Sequence, residues 1–193
     1  MQKNQLFLLV ITLFLAFNVQ AAWVLDDTVS TVSVVSIKKN TVGEVHYFKN
    51  LTGSILDNGT AQLSIDLNSV ETNIAVRNER MKSLLFETTV FPVALVSLNF
   101  VNKPLGNIAL GSRQVFPIEA TLSLHGVMKK IKTTIQIVGV MDNGLLVSTV
   151  QPILLNTSDF GLASGIQALM EVANLPSISR VVPVSFDLIF KKQ

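Results

Sequence analysis

"VFPIEATLSLHGVMKKIKTTIQIVGV", residues 115–140, decides the fold. Phe116, Ile118, Ala120, Leu122 and Leu124 alternate with Pro117, Glu119, Thr121, Ser123 and His125. After His125-Gly126 the alternation resumes, with Ile131, Thr133, Ile135 and Ile137 set against Lys130, Lys132, Thr134 and Gln136. Successive side chains of a strand point to opposite faces, so each half reads as a strand with one apolar and one polar side. Histidine-glycine between them reads as a tight hairpin turn. A lone hairpin is at best marginally stable in water, so this unit needs further strands around it.

The same period runs outward in both directions. Ala61, Leu63, Ile65 and Leu67 oppose Gln62, Ser64, Asp66 and Asn68. Near the C-terminus, Val182, Val184, Phe186, Leu188 and Phe190 oppose Val181, Pro183, Ser185, Asp187 and Ile189. Further strands are expected at about 30–37, 43–56, 93–101 and 145–155. Turn chemistry marks Asp57-Asn58-Gly59, Lys103-Pro104-Leu105-Gly106 and Asp142-Asn143-Gly144. Some eight strands joined by short turns make an antiparallel meander. Closing it into a barrel removes the edges that would otherwise template aggregation. The expected fold is an all-β, antiparallel, eight-stranded barrel whose ends are capped by one or two short helices.

Two stretches break the alternation. In "RNERMKSLLFETTVFP", residues 77–92, Met81, Leu84 and Leu85 recur at helical spacing with the charges on the other side. In "SGIQALMEVANLPS", residues 164–177, Ile166, Leu169, Met170 and Ala173 do the same. Ser164 is the expected N-cap there, and Asn174 with Pro176 the expected stop. The first helix is expected to lie across one barrel mouth and the second to cover the other opening.

Residues 1–21 read as a signal peptide, since Lys3 precedes an apolar run from Leu6 to Phe17 and Val19-Gln20-Ala21 offers a cleavage site. That run is shorter than the ~20 residues a membrane span needs. Residues 22–193 then form one domain, and export to the periplasm or to the medium is expected. The chain has no cysteine, which rules out disulfides and thiol catalysis. Removing Lys3 from the 15 basic residues leaves 14 against 13 acidic ones, and no nucleic-acid patch stands out.

Catalytic signatures are missing: neither G-x-S-x-G, H-E-x-x-H nor a P-loop occurs. The two histidines, His46 in a strand and His125 at a turn, have no metal-ligand spacing. Glu79 and Glu87 share their segment with Arg77, Arg80 and Lys82, which hold carboxylates ionised rather than raise their pKa for acid–base work. No enzyme, metal or cofactor is expected. A barrel of this size is either filled by its own side chains or holds a ligand. Small inward residues at Ala61, Ala120, Gly139 and Thr149 would leave room for one.

The opening "AAWVLDDTVSTVSVVSIKK", the stretch "GSILDNGTAQLSIDLNSVETNIAVRNERMKSLLFETTVFPVALVSL", the hairpin "IEATLSLHGVMKKIKTTIQI" and the turn "LNTSDFGLASG" occur in an order that resembles YceI-like proteins, the lipid- or polyisoprenoid-binding family. The resemblance covers nearly the whole chain after Ala21. It implies a long lipocalin-like barrel, exported in many bacteria, around an elongated pocket for an amphiphile such as an isoprenoid quinone or polyprenyl chain, and pairing into homodimers. Thr72, Arg77, Ser83 and Phe86 match the family's helix motif. Asn78, Arg80 and Leu85 stand where the family more often has aspartate, histidine and aspartate, which makes this segment more positive and more apolar.

The expected function is therefore sequestration or transport of an isoprenoid-type lipid, with no nucleic-acid partner and at most transient contact with a membrane. The expected ligand-contacting residues are Leu63, Ile65, Leu67, Phe86, Phe91, Val96, Leu98, Phe100, Leu122, Ile135, Met170 and Phe186. Arg77 and Arg80 join them at the rim, with Lys82 beside them. The alternative is a stress-related interaction protein whose barrel is solid and whose outer surface docks a partner.

Overall fold

Strand β12 (Val181–Lys192) organises the molecule, because each of its edges carries two shorter strands in succession. One edge pairs with β1 (Ala21–Leu25) and then β2 (Thr31–Lys38); the other pairs with β10 (Gly144–Thr149) and then β11 (Ile153–Asn156). The computed structural model describes residues 21–100, 105 and 108–193. Residues 1–20 of the expected signal peptide and most of the Lys103–Gly106 turn lie outside the described residues.

Between these strands run β3 (Val42–Phe48), β4 (Leu51–Leu56), β5 (Thr60–Asp66), β6 (Val70–Glu71), β7 (Val93–Asn99), β8 (Arg113–Leu124) and β9 (Val127–Val140). Each of β1–β2, β3–β4, β5–β6 and β10–β11 is one long strand broken by an irregularity, which leaves eight staves. Every stave pairs antiparallel with the next in sequence, and β12 closes the ring onto β1 through Trp23↔Lys192. The result is a closed eight-stranded up-and-down barrel, as expected from the alternation.

The breaks are held by polar groups. Between β1 and β2 the chain bends at Asp26–Ser30. There the Ser30 hydroxyl donates to the Asp26 carbonyl (2.6 Å) and accepts from the Ile189 N–H (2.9 Å), which keeps the ladder to β12 satisfied. The β8–β9 hairpin turns through His125 and Gly126, both at positive φ (51° and 75°), matching the right-handed twist of the strands. Its register pairs Phe116 with Ile135 and Ala120 with Ile131.

Helix α1 (Ala75–Arg80) links β6 to β7 and α2 (Ala163–Val172) links β11 to β12. In an up-and-down barrel both of those links fall at the same end, here called the upper one, together with the β2–β3 and β8–β9 turns. The expectation that α2 covers the opposite opening is therefore corrected. The two helical segments meet at Gly165, where an added Cβ would stand 2.5 Å from the Leu84 carbonyl oxygen and 2.8 Å from Leu85 Cα. Only a residue without a side chain permits that approach.

Two helix details also differ from the sequence reading. Leu162 occupies the α2 N-cap position without a side-chain bond, and Ser164 lies inside the helix. Its end is as expected: Asn174 takes a left-handed conformation (φ 50°), and the Leu175 and Asn174 N–H groups bond back to Met170 and Glu171.

Apolar side chains pack the described part of the lower end. Trp23, Leu105, Ile137 and Leu145 are buried there, and the Trp23 indole donates to the Asn143 carbonyl (3.1 Å). The chain at Ile108 and Ala109 folds against Gly139, whose missing side chain admits the Ile108 carbonyl oxygen to 2.6 Å of the Cβ position. Gly139 thus makes room for backbone and not for a ligand.

Candidate functional site

Above that floor the barrel is hollow. A cavity of about 460 Å³ runs from Ile55, Ala61, Phe100 and Phe190 up to the helices, within the ~300–1,000 Å³ of small-molecule pockets. Its walls are the inward parities of the staves: Leu63 and Ile65 from β5, Val96 and Leu98 from β7, Ile118 to Leu124 from β8, Ile131 to Ile135 from β9, and Val182 to Phe190 from β12. Ile118, Leu124, Ile131, Val184 and Phe186 face inward yet are only partly buried, because the space before them is empty. Ala61, Ala94 and Ala120 supply the slack. The solid interior required by the interaction-protein alternative is not found.

The roof comes from the helices. The chain after α1 continues as a π-helical segment, Met81–Phe86. Wider winding brings positions i, i+4 and i+5 to one side, so Met81, Leu85 and Phe86 face the cavity. Leu84, expected on that side from 3.6-residue spacing, turns away. Phe86 packs on Phe48 with ring centroids 5.9 Å apart. From α2 and its approach, Phe160, Leu162, Ile166, Leu169 and Ala173 complete the cover.

One corner of this apolar space is charged. Lys38, Glu44, Arg77 and Arg80 line it, together with Ser36 and His46. The Arg77 guanidinium donates to Glu44 (2.7 Å) and to the Thr72 carbonyl (2.7 Å), and Lys38 reaches the same Glu44 oxygen at 3.0 Å. Burial pushes the Glu44 pKa up, but the bonds from Arg77 and Lys38 outweigh it and hold the group below the usual carboxylate range. His46 is 2 % exposed and shares a 2.7 Å hydrogen bond with Ser36. Burial lowers its pKa and the Arg77 charge lowers it further, while Glu44 pulls the other way. Side chains of Lys38, Glu44 and Arg77 remain about a quarter exposed and Ala173 is exposed, so the cavity opens here, between α1, the β2–β3 hairpin and the end of α2.

Asn78 anchors this corner. Its amide oxygen accepts from the Thr72 N–H (2.9 Å) and hydroxyl (2.6 Å), and its NH₂ donates to Glu71 (3.0 Å). An aspartate could accept from Thr72 but would face Glu71 with like charge. Bonds from Lys49, Asn78 and the Asn73 N–H hold the Glu71 pKa at about 2.

The model of the YceI-like domain matches residues 23–190. The chain belongs to the YceI-like family. Among solved structures, this YceI-like chain is similar to a polyisoprenoid-binding domain from Saccharophagus degradans implicated in plant cell wall breakdown, with 39% identity and a TM-score of 0.88 over 90% of this chain and 100% of that one. It also shares the fold of Burkholderia cenocepacia BcnA (17% identity, TM-score 0.67, 86% and 98% covered). The Campylobacter jejuni YceI protein has the same fold (15% identity, TM-score 0.55, 77% and 85% covered). No curated protein sequence matches the chain.

Of the residues expected to contact a ligand, Leu63, Ile65, Leu67, Arg77, Arg80, Phe86, Val96, Leu98, Phe100, Leu122, Ile135 and Phe186 line the cavity of this YceI-like barrel. Phe91 does not. It packs on the outer side of the β8–β9 turn, its ring 4.4 Å from that of His125, which also bonds Glu87 (2.8 Å). Met170 sits beside the core but off the cavity wall, which Leu169 and Ala173 occupy instead. Lys82 pairs with Glu79 (2.9 Å) and does not line the cavity. Thr149 is likewise off the wall, its hydroxyl facing the Phe186 N–H (3.5 Å).

Sequence reading missed Lys38, Glu44 and Ser36, and it placed His46 in a strand without assigning it to the interior. In "VGEVHYF" the apolar parity is Val45 and Tyr47, yet these are 46% and 40% exposed while Glu44, His46 and Phe48 point inward. Phe48, in phase with His46, was a local sign of that inversion.

Proposed function

We propose that this chain is an exported carrier or store for an isoprenoid-type amphiphile, held tail-inward in the barrel and head-outward at the charged corner. The observation that carries the reading is the apolar cavity itself, open at one end and lined by Val, Leu, Ile and Phe side chains. Burying about 400 Å² of hydrocarbon there yields roughly 10 kcal/mol at ~25 cal/mol per Å². Association costs remove a large part of that, on the order of 4 kcal/mol or more, and the remainder still supports useful affinity without a specific polar contact. Membership of the YceI-like family and the similarity to a polyisoprenoid-binding domain support the same ligand class. The apolar run Leu6–Phe17 behind Lys3 supports export, and the absence of cysteine suits a bacterial periplasm. The carrier works by binding alone, and any contact it makes with a membrane is transient.

The test is mass spectrometry of organic extracts from the purified full chain. A stoichiometric isoprenoid lipid is the expected result. A clean extract, combined with no uptake of added farnesol or short-chain quinone, overturns the reading.

A further inference from the structure

The charged corner is unbalanced in a way that an apolar tail does not require. Among the described residues three cations line the cavity, Lys38, Arg77 and Arg80, against one carboxylate, Glu44, an excess of two positive charges. Two of the three are committed. Lys38 is bonded to Glu44, and Arg77 is fixed between Glu44 and the Thr72 carbonyl. Arg80 is different. Its side chain makes no hydrogen bond or ion pair among the described residues, although it is partly buried and faces the cavity. Glu79, the acid next to it, is taken by Lys82. Arg77 and Arg80 stand three positions apart on α1, hence on one face.

A guanidinium withdrawn from water at the edge of a greasy chamber lacks part of its hydration, and an anion restores what is lost. Its planar fork matches a carboxylate or phosphate in two parallel bonds, whereas a neutral carbonyl or hydroxyl takes one and leaves the charge excess in place.

We propose that the corner at the cavity mouth is an anionic headgroup site, with Arg80 the residue that contacts the carboxylate or phosphate of an amphiphile whose tail fills the barrel. The proposal rests on the lipid-binding reading above and adds the charge of the ligand. Arg77 positions the site by holding α1 to β3 and does not itself need to touch the headgroup.

The experiment displaces a neutral apolar dye, Nile red, from the delipidated full chain with farnesyl monophosphate, farnesol and inorganic phosphate. Wild type is expected to take farnesyl monophosphate about tenfold more tightly than farnesol, the worth of a charge-assisted bond. That preference is expected to shrink as salt is raised. In Arg80→Gln the ratio of the two affinities is expected to fall to about one, whatever the level of farnesol binding itself, and Arg80→Lys keeps most of the preference. Equal binding of both farnesyl probes by wild type, or a preference that survives in Arg80→Gln, overturns the headgroup site and leaves the lipid cavity standing. Displacement by inorganic phosphate alone at similar concentration overturns it in favour of a free-anion site. Failure of both farnesyl probes removes the lipid cavity, and the headgroup site with it.

Discussion

His46 shows how a single side chain reports the character of the corner around it. It is enclosed by Lys38, Glu44 and Arg77, and burial together with the neighbouring cations favours its neutral form. A histidine whose folded pKa lies below its unfolded value of ~6.5 contributes stability that is complete above that value. As pH falls below it, the unfolded chain takes up the proton more readily and the contribution is lost. Wild type is therefore expected to show a lower urea midpoint at pH 5 than at pH 7.5. His46→Gln should show a smaller drop over the same interval, and an equal drop in both proteins would assign the loss to other groups. Position 46 was legible as a strand residue but not as a buried one. The local pattern sets Val45 and Tyr47 on the apolar parity, and only the pairing of β3 with β2 and β6 forces Glu44 and His46 inside.

At the scale of elements, the helical segment between β6 and β7 was visible in the sequence, and its winding was not. Spacing of 3.6 residues selects Met81, Leu84 and Leu85, whereas the π-helical turn selects Met81, Leu85 and Phe86 and sends the Leu84 carbonyl toward α2. The reason lies in the contact between two elements eighty residues apart, since α2 approaches so closely at Gly165 that no side chain fits. Gly165→Val is expected to cost about 1–3 kcal/mol, the usual penalty for overpacking, even though valine is no worse than glycine in a helix. Urea unfolding measures this, and a variant as stable as wild type would contradict the close approach. The staves were more readable than the helices, because period-two alternation is fixed by backbone geometry alone. β8 and β9 keep their expected inward faces without exception across the cavity wall.

For the whole molecule the decisive property is that the barrel keeps an open cavity beneath its helices. Trp23, Leu105, Ile137 and Leu145 are buried at the lower end, and small side chains at Ala61, Ala94 and Ala120 leave room along the cavity wall. Ala120→Phe places a ring in that space. It is expected to leave thermal stability unchanged or slightly raised, since void-facing atoms gain contacts, and to reduce farnesol uptake by about tenfold, one lost side chain's worth of tail burial. Calorimetry and dye displacement read the two effects, and a strongly destabilised variant would mean that the space is already filled. By itself the sequence determined the eight alternating staves, their tight turns and hence ring closure, since alternation follows from the geometry of the extended chain and unpaired edges are unfavourable. It also carried the likeness to YceI-like proteins. Only the tertiary structure decided that both helices roof the same end, that a cavity stays open beneath them, and that Lys38, Glu44, His46 and Ser36 join Arg77 and Arg80 at one corner. Those outcomes depend on how far each stave is sheared against its neighbours and on which side chains meet across the barrel, distances that no local spacing encodes.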